Sequence, residues 1–166
     1  MIHIGIDVGL SGAMASIDHT GHARVADLET VETEAGKRLD GRALILMLRA
    51  FVPADSVCTV IVEDIRPRPM GNGGRAGNTM HSQGSLMRSR GIVEAVCDIA
   101  RVPVVWVQPQ TWKRHYGLLG KDKDAGRLCA LSLFPRLQDD LRRKKDHNRG
   151  DSLLLARYLM SHGPKD

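Results

Sequence analysis

The first eight residues alternate in polarity: Ile2, Ile4, Ile6 and Val8 fall on one side of an extended chain, His3, Gly5 and Asp7 on the other. That period of two predicts a strand over 2–8, with a carboxylate near its end. Gly9 and Gly12 permit a sharp reversal into residues 13–18, the partner strand of a hairpin. A third strand is expected over 23–28. The pattern then changes, and residues 41–51 place Leu44, Leu46, Leu48 and Phe51 among the apolar positions of an amphipathic helix that Pro53 ends. Residues 57–62 form a continuous apolar, β-branched run, the pattern of a strand buried on both faces of a mixed or parallel sheet. Helix followed by buried strand implies a crossover.

The second half reads mainly as helix. A long helix is expected over 81–100, with Leu86, Ile92, Val93, Val96 and Ile99 turned to the core, then a second buried strand over 102–107. Pro109 starts a short helix that carries Trp112 and Lys113, and further helices are expected over 123–134 and 150–160. Both tryptophans, Trp106 and Trp112, are assigned to packing. No repeat or clean linker interrupts the chain, so residues 1–166 read as a single α/β domain.

Composition narrows the class. The chain has 166 residues, 42% hydrophobic and 26% charged, and no apolar run approaches the ~20 residues of a membrane span. The N-terminus lacks the basic, apolar and small-residue order of a signal peptide. Cys58, Cys97 and Cys129 are widely spaced with no CxxC pattern, which fits free thiols in a reducing compartment. A cytoplasmic protein without membrane association is therefore expected. The net charge of +5 favours a polyanionic partner, and its distribution says more than its size. From Arg66 to Arg90 the chain carries Arg66, Arg68, Arg75, Arg88 and Arg90 and no acid; a second basic zone holds Lys113, Arg114, His115, Lys121 and Lys123, and a third Arg142, Arg143, Lys144 and Lys145.

Against this basic background, a few acids stand out by position. Asp7, at a strand end, needs a compensating cation if it is desolvated, either a paired arginine or a bound metal. Glu63 and Asp64 follow the buried strand over 57–62 at once, ahead of Pro67, Pro69 and the loop Gly71 to Gly77. In open α/β sheets the functional crevice lies beyond the carboxyl ends of strands, so Asp7 and Glu63 are candidates for one site. Asp151 opens the last predicted helix, where a plain helix cap and a site carboxylate are both open readings. Asp146 and His147 lie just upstream. Such an oxygen-rich set suits Mg²⁺ or Mn²⁺, and two such ions can clamp a phosphodiester.

The segments GIDVGLSGA, VIVEDI, VQPQTWK, GKDK, LFP and DHNRGDSLLLA, in that order over nearly the whole chain, resemble the RuvC-type Holliday junction resolvases of the ribonuclease H-like superfamily. The details are nearer to phage-borne and plant-organelle versions than to the common bacterial form. The resemblance implies a ribonuclease H-like mixed five-stranded sheet flanked by helices. It also implies a homodimer and Mg²⁺-dependent paired nicking of four-way DNA junctions, with Mn²⁺ able to substitute. Asp7, Glu63 and Asp151 match the family's metal-holding acids. Where bacterial members carry an acid or histidine three residues before the last aspartate, this chain has Asn148. Organelle-like members point instead to Asp146 as the fourth ligand, with His147 its rival. Lys113, Lys121 and Lys123 would meet DNA phosphate, as would Arg75, Arg88 and Arg90. Arg66, Arg68 and Met70 stand where bacterial members often place an aromatic wedge, with Arg66 and Arg68 expected to contact DNA, and Met80 and Met87 are candidate dimer contacts. The alternatives are a ribonuclease H-like nuclease for other branched nucleic acids, a junction-binding protein without chemistry, and an actin-like kinase, for which the chain is too short. If the chain is phage-encoded, its compartment is the host cytoplasm.

Overall fold

Gly12 N–H donates to the Gly9 carbonyl at 3.0 Å, closing the turn between β1 (Ile2–Asp7) and β2 (Ala13–Ile17). The computed structural model describes residues 1–67 and 79–163; Arg68, Met70, Arg75 and the glycine loop lie outside the described residues. The hairpin continues antiparallel into β3 (Ala23–Asp27), and β6 (Cys58–Glu63) and β7 (Val104–Val107) join parallel on the other side of β1. The result is a mixed five-stranded sheet in the order β3-β2-β1-β6-β7. A two-residue ladder between β4 (Thr30–Val31) and β5 (Arg38–Leu39) was not legible in the pattern, because two residues carry no period.

Helices cover both faces. On one lie α1 (Gly41–Phe51) and α2 (Met80–Ala100), packed on Ile2, Ile4, Ile6, Val60 and Val62. On the other lie α3 (Pro109–His115), α4 (Asp124–Leu133) and α5 (His147–His162), packed on Ala15, Ile17, Ile61 and Val107. The alternation in β1 therefore assigns its faces as expected, and β6 is buried on both. Local chemistry fixes the helix starts. Asp40 accepts from the Arg42 and Ala43 N–H groups, and Thr79 and Ser82 form a reciprocal capping box. Of the apolar helix positions named from the sequence, Leu46 (60% exposed) and Ile99 (76%) point outward; around Ile99 the helical period places Val93, Val96 and Cys97 inside. Among the described residues no helix is long and apolar enough to cross a membrane.

The contact between β1 and α5 depends on Gly5. A Cβ there would collide with the Ser152 carbonyl and the Ala156 N–H, so only glycine lets the helix backbone lie this close to the strand. α5 begins three residues before the expected Gly150, so Asp151 is its fifth residue and not its cap.

Candidate active site

β1 and β6 run parallel with Ile6 beside Val62, so the next residues, Asp7 and Glu63, are neighbours at the carboxyl end of the sheet. Ile6 and Val62 face α1 and α2, so strand alternation turns Asp7 and Glu63 toward α5. There α5 brings Asp151, one residue before the Ser152 carbonyl that rests on Gly5. The three carboxylates line one cleft of about 430 Å³ together with Lys113, His147, Asn148, Lys121, Asp122 and Lys123. Gly126, inside α4, also lines it; a side chain there would strike Asp151 Oδ1. An interior glycine costs a helix ~1 kcal/mol relative to alanine, and here the cost leaves room for a carboxylate.

Electrostatics in the cleft are unfavourable without a cation. Burial, followed by repulsion from Asp151 and Glu63, holds the Asp7 carboxyl well above the ordinary carboxylate range, and Lys113 pulls it down. Burial pushes Asp151 up to about 6; Glu63 adds to the rise, while Lys113 and His147 oppose it. Neither carboxyl has a hydrogen bond among its influences. Glu63 is held differently: the Trp112 indole N–H donates to its Oε1 at 2.7 Å, and Lys113 Nζ stands 3.7 Å from the same oxygen. Among the described residues no three acidic, histidine or cysteine side chains stand ready to hold an ion as a group. The donor chemistry nevertheless fits a hard divalent cation, because three carboxylates converge on one space and two of them, Asp7 and Asp151, have no hydrogen bond among their influences.

The other expected residues divide by their partners. Asp146 stands apart from the three: its carboxylate is taken by Arg143, which donates from the backbone N–H (2.8 Å), Nε (3.1 Å) and Nη2 (2.8 Å), and it does not line the cleft. Burial opposes ionisation, yet these bonds hold Asp146 below the ordinary carboxylate range. His147 does line the cleft, with Nδ1 3.2 Å from the Lys144 carbonyl; a proton on Nδ1 would leave Nε2 as an acceptor. Asn148 Nδ2 donates to the Ser11 carbonyl and to Ser11 Oγ, tying the start of α5 to the β1–β2 turn. Arg149 clamps Asp27 of β3 through Nε (2.6 Å) and Nη2 (2.7 Å).

Arg90 is engaged within the protein. Strand alternation sends Asp64 to the opposite side from Glu63, and there it accepts from Arg90 Nη1 at 2.7 Å, Arg66 Nη2 at 2.8 Å and Gln108 Nε2 at 2.8 Å. Arg90 also donates to the Ile65 carbonyl and lies 4.0 Å over the Trp106 ring, so its guanidinium is engaged inside the protein. Arg66 pairs with Asp64 from an exposed position, and Arg88 is exposed on α2 away from the cleft. Lys121 and Lys123 line the cleft with no described ion pair, and Lys123 borders a second groove between Ser11 and the start of α2. Sequence reasoning gave Trp112 packing alone, Asn148 no role beyond its departure from the family pattern, and Asp64 none. A tryptophan followed by lysine one turn into a proline-started helix was the available signal for the first.

A raised carboxyl pKa means that the fold favours the protonated form. That stabilisation is full below the ordinary value near 4 and is lost as pH rises through the folded value. The metal-free protein is thus expected to lose about 2 kcal/mol between pH 4 and 7 from Asp151, whose carboxyl sits at about 6. Asp151→Asn should remove that loss. Chemical denaturation of both proteins in EDTA across this range checks it, and parallel pH profiles would contradict the site's electrostatics.

No family model matches the chain. Over 50 residues it is 48% identical to the chloroplastic Holliday junction resolvase MOC1 of Chlamydomonas reinhardtii, a match that spans 30% of this chain and 6% of that protein. Among solved structures it is similar to Thermus thermophilus RuvC in complex with a Holliday junction substrate, with a TM-score of 0.59, 16% identity and 99% of each chain covered. A second Thermus thermophilus RuvC structure gives a TM-score of 0.55 at 16% identity, again over 99% of both chains. The mixed five-stranded sheet, its flanking helices and their order are those of the RuvC fold, a ribonuclease H-like architecture.

Proposed function

We propose that this chain is a structure-selective endonuclease that resolves four-way DNA junctions by metal-dependent, paired nicking. The observation that carries the reading is the convergence of Asp7, Glu63 and Asp151 in one cleft bordered by Lys113, Lys121 and Lys123, in the fold of a protein solved with a Holliday junction substrate. The local match to a chloroplastic Holliday junction resolvase supports the same substrate class. Mg²⁺ is the proposed cofactor, with Mn²⁺ as substitute, and Asp7, Glu63, Asp151 and His147 are the proposed ligands. A pair of such cations, when bound, supplies activation of a water nucleophile and charge stabilisation of the leaving 3′ oxygen. The carboxylates hold the cations and need not attack phosphorus.

Before cations bind, Lys113 is the positive charge that moderates both Asp7 and Asp151. Lys121 and Lys123 bring positive charge to the rim, where they position backbone phosphate without reading sequence. Two nicks on opposing strands require two such centres, which makes a homodimer the proposed assembly. A nuclease acting on other branched nucleic acids would share this cleft and differ only in substrate.

The test is cleavage of a labelled four-way junction beside a matched linear duplex, with Mg²⁺, with EDTA and with Asp7→Asn. Symmetric nicks confined to the junction, lost in EDTA, are expected. Asp7→Asn should lower the rate by at least about 100-fold, beyond the 10–100-fold usual for a lost outer partner of a metal site. Equal cutting of both substrates would mean a broader nuclease.

His147→Ala is expected to raise the Mg²⁺ concentration needed for half-maximal nicking. Asp146→Asn should instead act through stability, because its partner is Arg143. The reverse pattern would restore Asp146 as the ligand. Lys121→Ala and Lys123→Ala should each reduce the salt dependence of junction binding by about one phosphate contact, a change in slope of about 0.9. Arg90→Ala should leave that slope unchanged, since its guanidinium is held by Asp64 and Ile65.

A further inference from the structure

We infer that Trp112 is a positioning residue of the metal centre: its indole N–H fixes one oxygen of Glu63 and leaves the other oxygen open to a cation. The inference rests on the metal-dependent nuclease reading above. Trp112 is fully buried, and a buried indole N–H requires an acceptor. Its acceptor is Glu63 Oε1 at 2.7 Å, while no described hydrogen bond reaches Oε2. The ring is itself fixed, with the edge of Tyr116 at 6.5 Å between centroids, the Lys113 ammonium 5.1 Å from the ring centre, and Ile61 and Val107 in the same packed cluster.

Glutamate is the ligand most in need of such a holder. It has one more rotatable bond than the aspartates at positions 7 and 151, so an unrestrained carboxylate at 63 would spread over several rotamers. The donor's neutrality matters equally. Next to Glu63, Asp64 is held by Arg66 and Arg90, and near the start of α5 Asp146 is held by Arg143. Those guanidinium groups neutralise the acids they orient. An indole N–H adds no positive charge beside Glu63, whose described ion pair is the longer one with Lys113, 3.7 Å from Oε1. The same short segment gives each acid a neutral donor: Gln108 donates to Asp64 at 2.8 Å, and Trp112, one helical turn later, donates to Glu63.

Trp112→Phe keeps an aromatic ring in the core and removes the donor. Mn²⁺ binding to the folded variant, followed by electron paramagnetic resonance of free Mn²⁺, should weaken 10–100-fold, the range for a lost partner of a metal ligand. Junction binding in EDTA should be unchanged. A folded variant with wild-type Mn²⁺ affinity would overturn the inference. The wild-type protein offers a second readout that needs no stable Trp112→Phe protein. Its two indole N–H signals in a ¹⁵N-labelled sample belong to Trp106 and Trp112 and are assigned with Trp106→Phe. The Trp112 signal should move on addition of Mg²⁺ and in Glu63→Gln; a signal that stays still through Mg²⁺ saturation would also overturn the inference. Asp151→Asn separates the two levels of argument. If it binds Mn²⁺ as the wild type does, the metal centre itself is wrong. If it loses Mn²⁺ while Trp112→Phe does not, only the role of Trp112 fails.

Discussion

Three carboxylates are held in one cleft against their mutual repulsion, and most of the notable local choices in this chain serve that constraint. Left to themselves, Asp7, Glu63 and Asp151 would rotate apart or take up protons, and the raised values of Asp7 and Asp151 record the second tendency. The first is blocked by backbone. Gly5 lets α5 lie on β1, Gly12 closes the turn behind Asp7, and Gly126 makes room for Asp151. Asn148 bonds Ser11, and Arg149 clamps Asp27, so the helix that carries Asp151 is tied at its start to the same hairpin that carries Asp7. The repulsion is thereby preserved, and it would serve as an attraction for the proposed divalent cations, which a site free to relax would lose.

Strand alternation does the sorting at the end of β6. Glu63 and Asp64 are adjacent in sequence and nearly identical in chemistry, yet one faces α5 and a tryptophan while the other faces α2 and two arginines. The arginine pairs hold Asp64 below the ordinary carboxylate range, with Arg90 the larger influence. That makes it a fastener for Ile65 and the chain leaving the sheet. A one-residue change of register in β6 would exchange these fates and place a neutralised acid in the cleft.

The sheet and most helices were legible because their apolar periods are long and clean. The pairing of Asp7 with Glu63 followed from their positions at the ends of parallel strands. What was not legible depended on partners distant in sequence or too close to carry a pattern. Asp146 reads as a ligand from the resemblance to organelle-like resolvases, and in the fold Arg143, three residues earlier, pairs with its carboxylate. Asp151 reads as a helix cap if the helix starts at Gly150; His147, Asn148 and Arg149 lack an apolar period and so concealed the true first turn. Trp112 looks like core, and it is core, yet a buried indole must still find an acceptor, and the acceptor lies 49 positions away. Ile99 was placed inside by composition and lies outside by angle.

The basic residues follow a division of labour that charge counting conceals. Arg90, Arg127, Arg143 and Arg149 each engage an acid or a carbonyl within the protein, where the planar guanidinium can make two directed bonds at once. Lys121 and Lys123, with no described ion pair, stand at the cleft after Gly117 and Gly120, whose positive φ values of 64° and 74° turn the loop. For the proposed DNA substrate a cleft rich in carboxylates would repel phosphate, and the lysines at its rim would draw a backbone toward it before any cation is bound. Lysine, strongly hydrated and held on a flexible stem, keeps its charge near those acids without being fixed by them, and so remains available to phosphate.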